Sequence, residues 1–514
     1  MARPGVCPRA AIGYKQRDSL RAKVAPAMTA AVTQPPADMR QVMVGLGLAM
    51  LLSALDQTIV VTAMPTIGAD LGEPQNLPWI VTAYLIAATV VTPLYGKFAD
   101  VYGRRIVLLV GLVIFILGSI ACALAPSITA LAAARAAQGL GGGGLISLAQ
   151  TIVADLVSPR ERGRYQTYFA AVFITSSVAG PALGGYFAQY LHWSLIFWIN
   201  LPLGLAALLI TNARLKRLPE RRHPHSVDYA GAALLITASG ALVLGLSWGG
   251  NRYPWASAPI LGLLALSALF WAGFAWRTRT AEEPLIPMRI LSLRIVRDAI
   301  VSSSFGLGAF VALSVVMPIY YEVGMGLSAH DSGLVLIPLM AATVAGATLS
   351  GRMMSTLTHY KTLPLAGLGV GAVAAALAAW QIGAVSFTVL NILLIVVNFG
   401  VGAMLPVATV SVQNAVLARD LGTATATTQF FRQLGSSVIV ALFAALALGG
   451  GRAAYIAEAR ITPEELMRLN GSFRLVFAAL AVCMALSFAF MARMEELPLR
   501  GERRHGPAPA EADS

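Results

Sequence analysis

The sequence predicts an all-α polytopic membrane protein, and three observations carry that expectation: its composition, its long apolar windows and the alternation of its basic loops. Of 514 residues, 57% are hydrophobic and only 12% charged, and the mean hydropathy is +0.71. A soluble domain carries about 25% charged residues, so this chain needs lipid as its solvent. A crossing helix takes about 20 mostly apolar residues. Windows of that length lie near 41–64, 77–98, 105–125, 129–154, 165–190 and 194–213. Two more lie at 228–248 and 254–276, and a last group at 299–321, 332–352, 362–381, 385–409, 422–449 and 471–492, which makes about fourteen.

Short cytoplasmic loops collect Lys and Arg, so charge tests that count independently. With the N-terminus inside, the inward loops hold Lys97, Arg104 and Arg105; Arg160, Arg162 and Arg164; Arg214 to Arg222; Arg277 to Arg297; Arg352 and Lys361; and Arg419. The outward loops are short and charge-poor, except 450–470. There Arg452, Arg460 and Arg468 interleave with Glu458, Glu464 and Glu465, which reads as a short surface helix. An even number of spans with both termini cytoplasmic follows.

Other classes are excluded on the same grounds. The net charge of +13 sits between apolar segments rather than on a soluble basic face, so no nucleic acid is expected. The three cysteines imply no disulfide framework, and no zinc-ligand spacing, nucleophile elbow or phosphate loop marks an enzyme or a receptor. His223 and His225 read as a solvated linker rather than a metal site, and the glycine run at 141–144 lies inside a span without the strand or lysine of a nucleotide site. Residues 1–40 form a basic polar tail with no apolar stretch behind it, not a secretory signal, and Met28 is an alternative start. The organisation is therefore a disordered cytoplasmic tail (1–40), a six-helix bundle (41–213), a linker carrying two extra helices (214–298), a second six-helix bundle (299–493) and a cytoplasmic tail (494–514). Two bundles facing each other across a midplane cavity are a common transporter plan. Internal similarity is weak, although 150–163 and 413–422 both end a span, turn through charge and glycine, and start another.

Particular motifs then match a family. Residues 96–106, GKFADVYGRRI, place Gly96 and Gly103 where helices approach closely or turn, and Asp100 where it can pair with Arg104 or Arg105 and cap a helix. The segment resembles the loop signature of the major facilitator superfamily, in which it latches the two halves in the outward-facing conformation. LDQTIVVTAMP in the first span, with Asp56 and Pro65, looks like the first-helix motif of the fourteen-span drug:proton antiporters. RAAQGLGGGG resembles the superfamily's arginine motif through Arg135, Gln138 and Gly139. SSVAGPALGG is similar to the antiporter motif through Gly180, Pro181, Gly184 and Gly185, with Ser176 in place of its leading glycine. HWSLIFWINLP at 192–202 has Ser194 where the family usually has Arg, and GRMMSTLTHYK at 351–361 is a degraded echo of the first loop signature.

These residues suggest a chemistry. Asp56 lies about 22 Å along a core of about 30 Å, and Arg135, entering from outside, about 9 Å down its helix, so their depths agree. A carboxylate at that depth is rare without a function. We expect Asp56 and Arg135 to approach across neighbouring helices and to carry proton coupling, a proton competing with a cationic substrate for one negative charge. A static pair that fixes helix packing is the alternative. By resemblance, the Gly180–Pro181–Gly184–Gly185 helix lines the interface between halves and prevents proton leak. Arg432, about 15 Å into its span beside Gln429 and Gln433, reads as a cavity-facing polar strip or as a contact to backbone carbonyls; Gln138 is a further cavity candidate. Trp79, Tyr84, Phe173, Met317, Tyr320 and Met404 are candidates for a greasy cavity wall or for lipid-facing positions.

The resemblance implies a major facilitator fold and proton-coupled export of amphipathic or cationic drugs or toxic compounds by alternating access, across the inner membrane, with antibiotic resistance as the consequence. Export of a lipid, siderophore or metabolite on the same scaffold is the alternative. The expected partners are a small-molecule substrate, protons and the bilayer, with either a periplasmic adaptor or a monomeric state. The proton gradient stands in place of any cofactor.

Overall fold

The computed structural model describes residues 39–72, 76–216, 227–250, 252–384, 386–447 and 463–499. Among these, 13 helices are long and apolar enough to cross a membrane. The first group comprises α1 (Met39–Leu71), α2 (Pro78–Tyr102), α3 (Arg104–Ala123), α4 (Ile128–Gly142), α5 (Leu145–Leu156), α6 (Pro159–Tyr190) and α7 (Leu195–Leu215). A pair follows, α8 (Tyr229–Trp248) and α9 (Ala258–Thr280). The last group is α10 (Arg294–Gly324), α11 (Asp331–Thr356), α12 (Thr362–Gln381), α13 (Phe387–Ala415), α14 (Ala418–Ala447) and α15 (Pro463–Arg493). Several starts carry the caps their sequences advertise: Ser127, Asp228 and Ser386 accept from the backbone N–H three residues on, at 3.1, 2.9 and 3.4 Å.

α4 and α5 are about 23 and 18 Å long and cross a core of about 30 Å only in tandem, so together they are the fourteenth crossing. The single span expected over 129–154 is therefore one crossing, broken at Gly143 and Gly144. The cause is close packing of Gly142, Gly143 and Gly144 on α2 and of Gly141 on α3: a Cβ on Gly143 would lie 2.7 Å from the Ala88 Cα, and one on Gly144 would run into the Tyr95 ring. The break frees carbonyls that lipid cannot satisfy. Neighbouring hydroxyls satisfy them. Tyr95 donates to the Leu140 carbonyl at 2.9 Å, Ser53 to Gly142 at 3.2 Å and Thr92 to Gly143 at 2.8 Å.

Within the first group α1 packs on α6 and α7, and α4 on α2 and α3; within the last, α11 packs on α13, α10 on α14, and α12 on α13 and α15. The most extensive contacts between the groups are α2 on α14 and α6 on α11. The central pair lies outside that seam. α8 touches both α2 and α14, and Trp271 of α9 stacks near Phe430 and Phe431 of α14 at 6.4 and 6.0 Å between ring centres.

The surface helix expected over 450–470 is corrected in its described part, where 463–470 belong to α15. The aromatic fill of that end explains the continuity, with Tyr320 stacked 4.7 Å from Phe473 and bonded to Asn470 at 3.1 Å. The tail before Met39, Met28, the histidines of the 217–226 segment and the end of the chain after 499 lie outside the described residues.

Candidate transport site

Asp56 of α1 is fully buried and faces Arg135 of α4, which is 1% exposed. The Arg135 Nη1 donates to one Asp56 oxygen; Gln138 and Asn200 donate to the other at 2.9 and 3.2 Å. Each neighbour is a donor, an arrangement that suits a carboxylate. Ser119 of α3 accepts from Gln138 and Asn200 at 3.1 and 2.9 Å, and Arg135 donates further to the Ile80 carbonyl at 3.1 Å and lies 4.3 Å from the Tyr84 ring centre. The pair thus sits in a closed polar network contributed by α1, α2, α3, α4 and α7. Sequence reading missed Ser119 and Asn200; the available signal was a lone Asn in the apolar run FWINLP. Gln138 belongs to this network and not to the cavity wall, a correction whose cause is its complete burial against Asp56 and Ser119.

Gly180 and Gly184 of α6 pack on α1 at the same level, not across the seam between halves. A Cβ on Gly180 would lie 2.7 Å from the Thr58 Cβ, and one on Gly184 would run into the Ile59 carbonyl and Thr62 hydroxyl. Thr58 also donates to the Ser176 carbonyl at 2.9 Å, so the small residue at that position permits the crossing. Pro181 is exposed, and a Cβ on Gly185 would meet nothing within 4 Å. Gly184→Ala is therefore expected to cost about 1–3 kcal/mol by overpacking, and Gly185→Ala to be close to neutral. Thermal unfolding in detergent checks the contrast; equal midpoints for the two variants would contradict this packing.

The end of the molecule that carries the basic loops is closed by two glycine contacts. A Cβ on Gly96 would lie 2.7 Å from the Gly422 carbonyl oxygen, and one on Gly163 2.6 Å from that of Gly351. Asp100 clasps the first junction. It accepts from the Gly422 and Thr423 amides at 3.2 and 2.8 Å and from the Thr423 hydroxyl at 2.8 Å, while Arg104 holds it at 2.9 Å and reaches Asp155 at 2.9 Å. The carboxylate thus caps the start of α14 across the seam. Gly103 takes φ +93° and makes the turn into α3. Arg105 donates to Asn212 of its own half at 2.6 Å. The second junction has no such carboxylate: four residues past Gly351 stands Ser355, half-buried and bonded to the Arg352 carbonyl at 2.6 Å.

Away from that closed end, a cavity of about 1350 Å³ separates the halves and extends to the 249–256 loop. Leu85, Ile146, Phe173 and Ile174 line one side, Leu307, Phe310, Met340 and Val440 the other, and Tyr253 and Trp255 its mouth. The polar wall is Ser53, Gln57, Thr89, Ser177, Gln429, Arg432, Gln433 and Ser436. Gln429, Arg432 and Gln433 therefore do face the cavity, and so does Phe173. Tyr84 is buried over Arg135, Trp79 meets Trp248 edge to face at 5.4 Å, and Met317, Tyr320 and Met404 fill the core of the last six helices. No group of His, Cys, Asp and Glu that could hold a metal occurs among the described residues.

Two helical groups that enclose a large cavity shut at one end, beside a buried charge network, define a membrane transporter rather than an enzyme. The chain belongs to the Major Facilitator Superfamily, which it matches over residues 46–440. It is 36% identical over 397 residues to an uncharacterised MFS-type transporter of Mycobacterium tuberculosis (strain H37Rv), an alignment covering 77% of this chain and 58% of that one. The chain thus spans under two thirds of that relative's length. It is 34% identical to multidrug resistance protein 3 of Bacillus subtilis (strain 168), covering 80% of each chain. In fold it is similar to the proton:xylose symporter XylE, with a TM-score of 0.62 at 14% identity, over 90% of this chain and 97% of that one.

Proposed function

We propose that the protein exports amphipathic organic compounds from the cytoplasm across the inner membrane in exchange for protons, by alternating access. The observation that carries this reading is the fully buried Asp56–Arg135 pair, with Gln57 next to Asp56 and Ser53 one turn before it on the wall of a cavity large enough for a drug-sized molecule. The name of the Bacillus relative, a multidrug resistance protein, supports export rather than uptake.

On this reading the basic, glycine-closed end faces the cytoplasm, both termini lie there, and the conformation described is outward-facing. Protonation of Asp56 from outside removes the charge that holds Arg135 and loosens α1 from α4. Gly96 and Gly351 then separate from their partners, the cytoplasmic end opens, and the Asp56 proton leaves as substrate enters. Asp100 sets how strongly the closed state is favoured. The working unit is a single chain, and the pH gradient supplies all of the energy.

Efflux into inverted vesicles with an imposed pH gradient, across a panel of dyes, antibiotics and lipids, tests the proposal. Accumulation of at least one amphipathic compound that collapses with the gradient is expected. Accumulation that is indifferent to the gradient for every compound would overturn it.

A further inference from the structure

Among the described residues, the cavity is lined by positive charge and by no acid. Arg432 is 8% exposed, and it lines the large cavity at the point where a second, 10 Å³ space begins toward the closed end between Gln150, Thr409 and Thr425. The side chain donates to Gln429, one turn earlier on the same helix, and its Nε is buried without a hydrogen-bond partner. No carboxylate pairs with it among the described residues. Among the described residues, the only other charged one lining the cavity is Arg252 at the mouth, over the Trp248 ring at 5.3 Å. The acid of the network cannot compensate either, because Asp56 is shielded from the cavity and committed to Arg135.

A guanidinium in this position is costly for a membrane protein unless something visits it. Its planar donors suit a carboxylate or sulfonate, and Gln429, Gln433 and Ser436 surround it with further polar groups. The apolar walls above, from Phe310, Phe173 and Val440, suit a ring system attached to that anionic head. A cation entering the same space would meet positive charge at the mouth and at the floor.

We propose that Arg432 forms an anion-recognition subsite, and that the favoured substrates are amphipathic organic anions rather than cations. The inference rests on the export reading for its physiological meaning, but binding at Arg432 does not require proton coupling. It differs from the expectation that a cationic substrate competes with the proton for Asp56. Substrate head and proton would occupy separate sites and communicate through the movement of the helices.

The test uses two xanthene dyes of similar size and opposite charge, fluorescein and tetramethylrhodamine methyl ester. Equilibrium binding to the purified full chain is measured by fluorescence polarisation at mildly alkaline pH, with no gradient. Fluorescein is expected to bind saturably and at least about tenfold more tightly than the rhodamine ester, a difference of about 1.4 kcal/mol. Arg432→Gln should remove that preference and Arg432→Lys keep part of it. Ser436→Asp, which sets a carboxylate one turn from Arg432 and leaves the arginine in place, should remove it too. That variant guards against a folding defect in Arg432→Gln, and gel filtration monitors both. Fluorescein affinity unchanged in two folded variants, or a wild-type preference for the rhodamine ester, overturns the proposal. Selective binding of fluorescein without gradient-driven transport would leave this subsite standing and remove the coupled-export reading instead.

Discussion

Asp56→Asn is expected to abolish gradient-driven efflux while leaving a folded, membrane-inserted protein that still exchanges substrate down its own gradient. The amide has nearly the shape of the carboxylate, so α1 keeps its packing on α6 through Thr58 and Gly180. It cannot take up and release a proton, and no second acid stands within hydrogen-bond reach of Arg135 among the described residues. Breaking a buried pair by removing one partner costs about 3–5 kcal/mol. Here the loss falls toward the lower end, because Arg135 retains the Gln138 oxygen at 2.7 Å, the Ile80 carbonyl and the Tyr84 face. Proteoliposomes with an entrapped pH dye read both halves of the prediction. Substrate entry at the wild-type rate, with protons still moving in the opposite direction, would remove Asp56 from the coupling mechanism.

Gly351→Leu has a comparably large expected effect for a purely steric reason. A side chain there would drive into the Gly163 carbonyl and the base of α6, and the junction has no flexible tip to move aside. Overpacking of about 3 kcal/mol applied only to the closed state shifts the balance between closed and open ends by roughly a hundredfold. The basic end should then stand open. In a chain stripped of its own cysteines, Thr425→Cys, buried near that end, should become far more reactive toward an impermeant thiol reagent applied from the cytoplasmic side. Transport should fall in parallel, because the cycle no longer visits the outward-facing state. Reactivity equal to that of the Gly351 parent would show that the glycine contact does not control the gate.

Several parts of this site could be read along the chain. The equal depths of Asp56 and Arg135 follow from helix rise alone, and their contact is present. The weak likeness between 150–163 and 413–422 has a concrete meaning: each segment ends in the glycine, Gly163 or Gly422, that receives a glycine from the opposite half. Other parts were not readable. The helix that carries the antiporter glycines does lie between the halves, through its contact with α11, yet Gly180 and Gly184 themselves serve the α1–α6 crossing. Gln138 and Arg432 each read as intramembrane polar residues, and the pattern did not distinguish the one sealed against Asp56 from the one open to the cavity.

What the sequence determined by itself is the membrane-spanning, all-helical architecture and membership in its family. Lipid forces any apolar stretch of sufficient length to be helical and to cross, whatever its neighbours are. Tertiary structure alone decided which face each helix turns inward, where the fourth crossing breaks, and which charge reaches the cavity. A membrane helix is apolar on nearly every side, so its linear pattern carries little information about rotation. The rotation is set by contacts hundreds of residues apart, as where Asp100 meets Thr423.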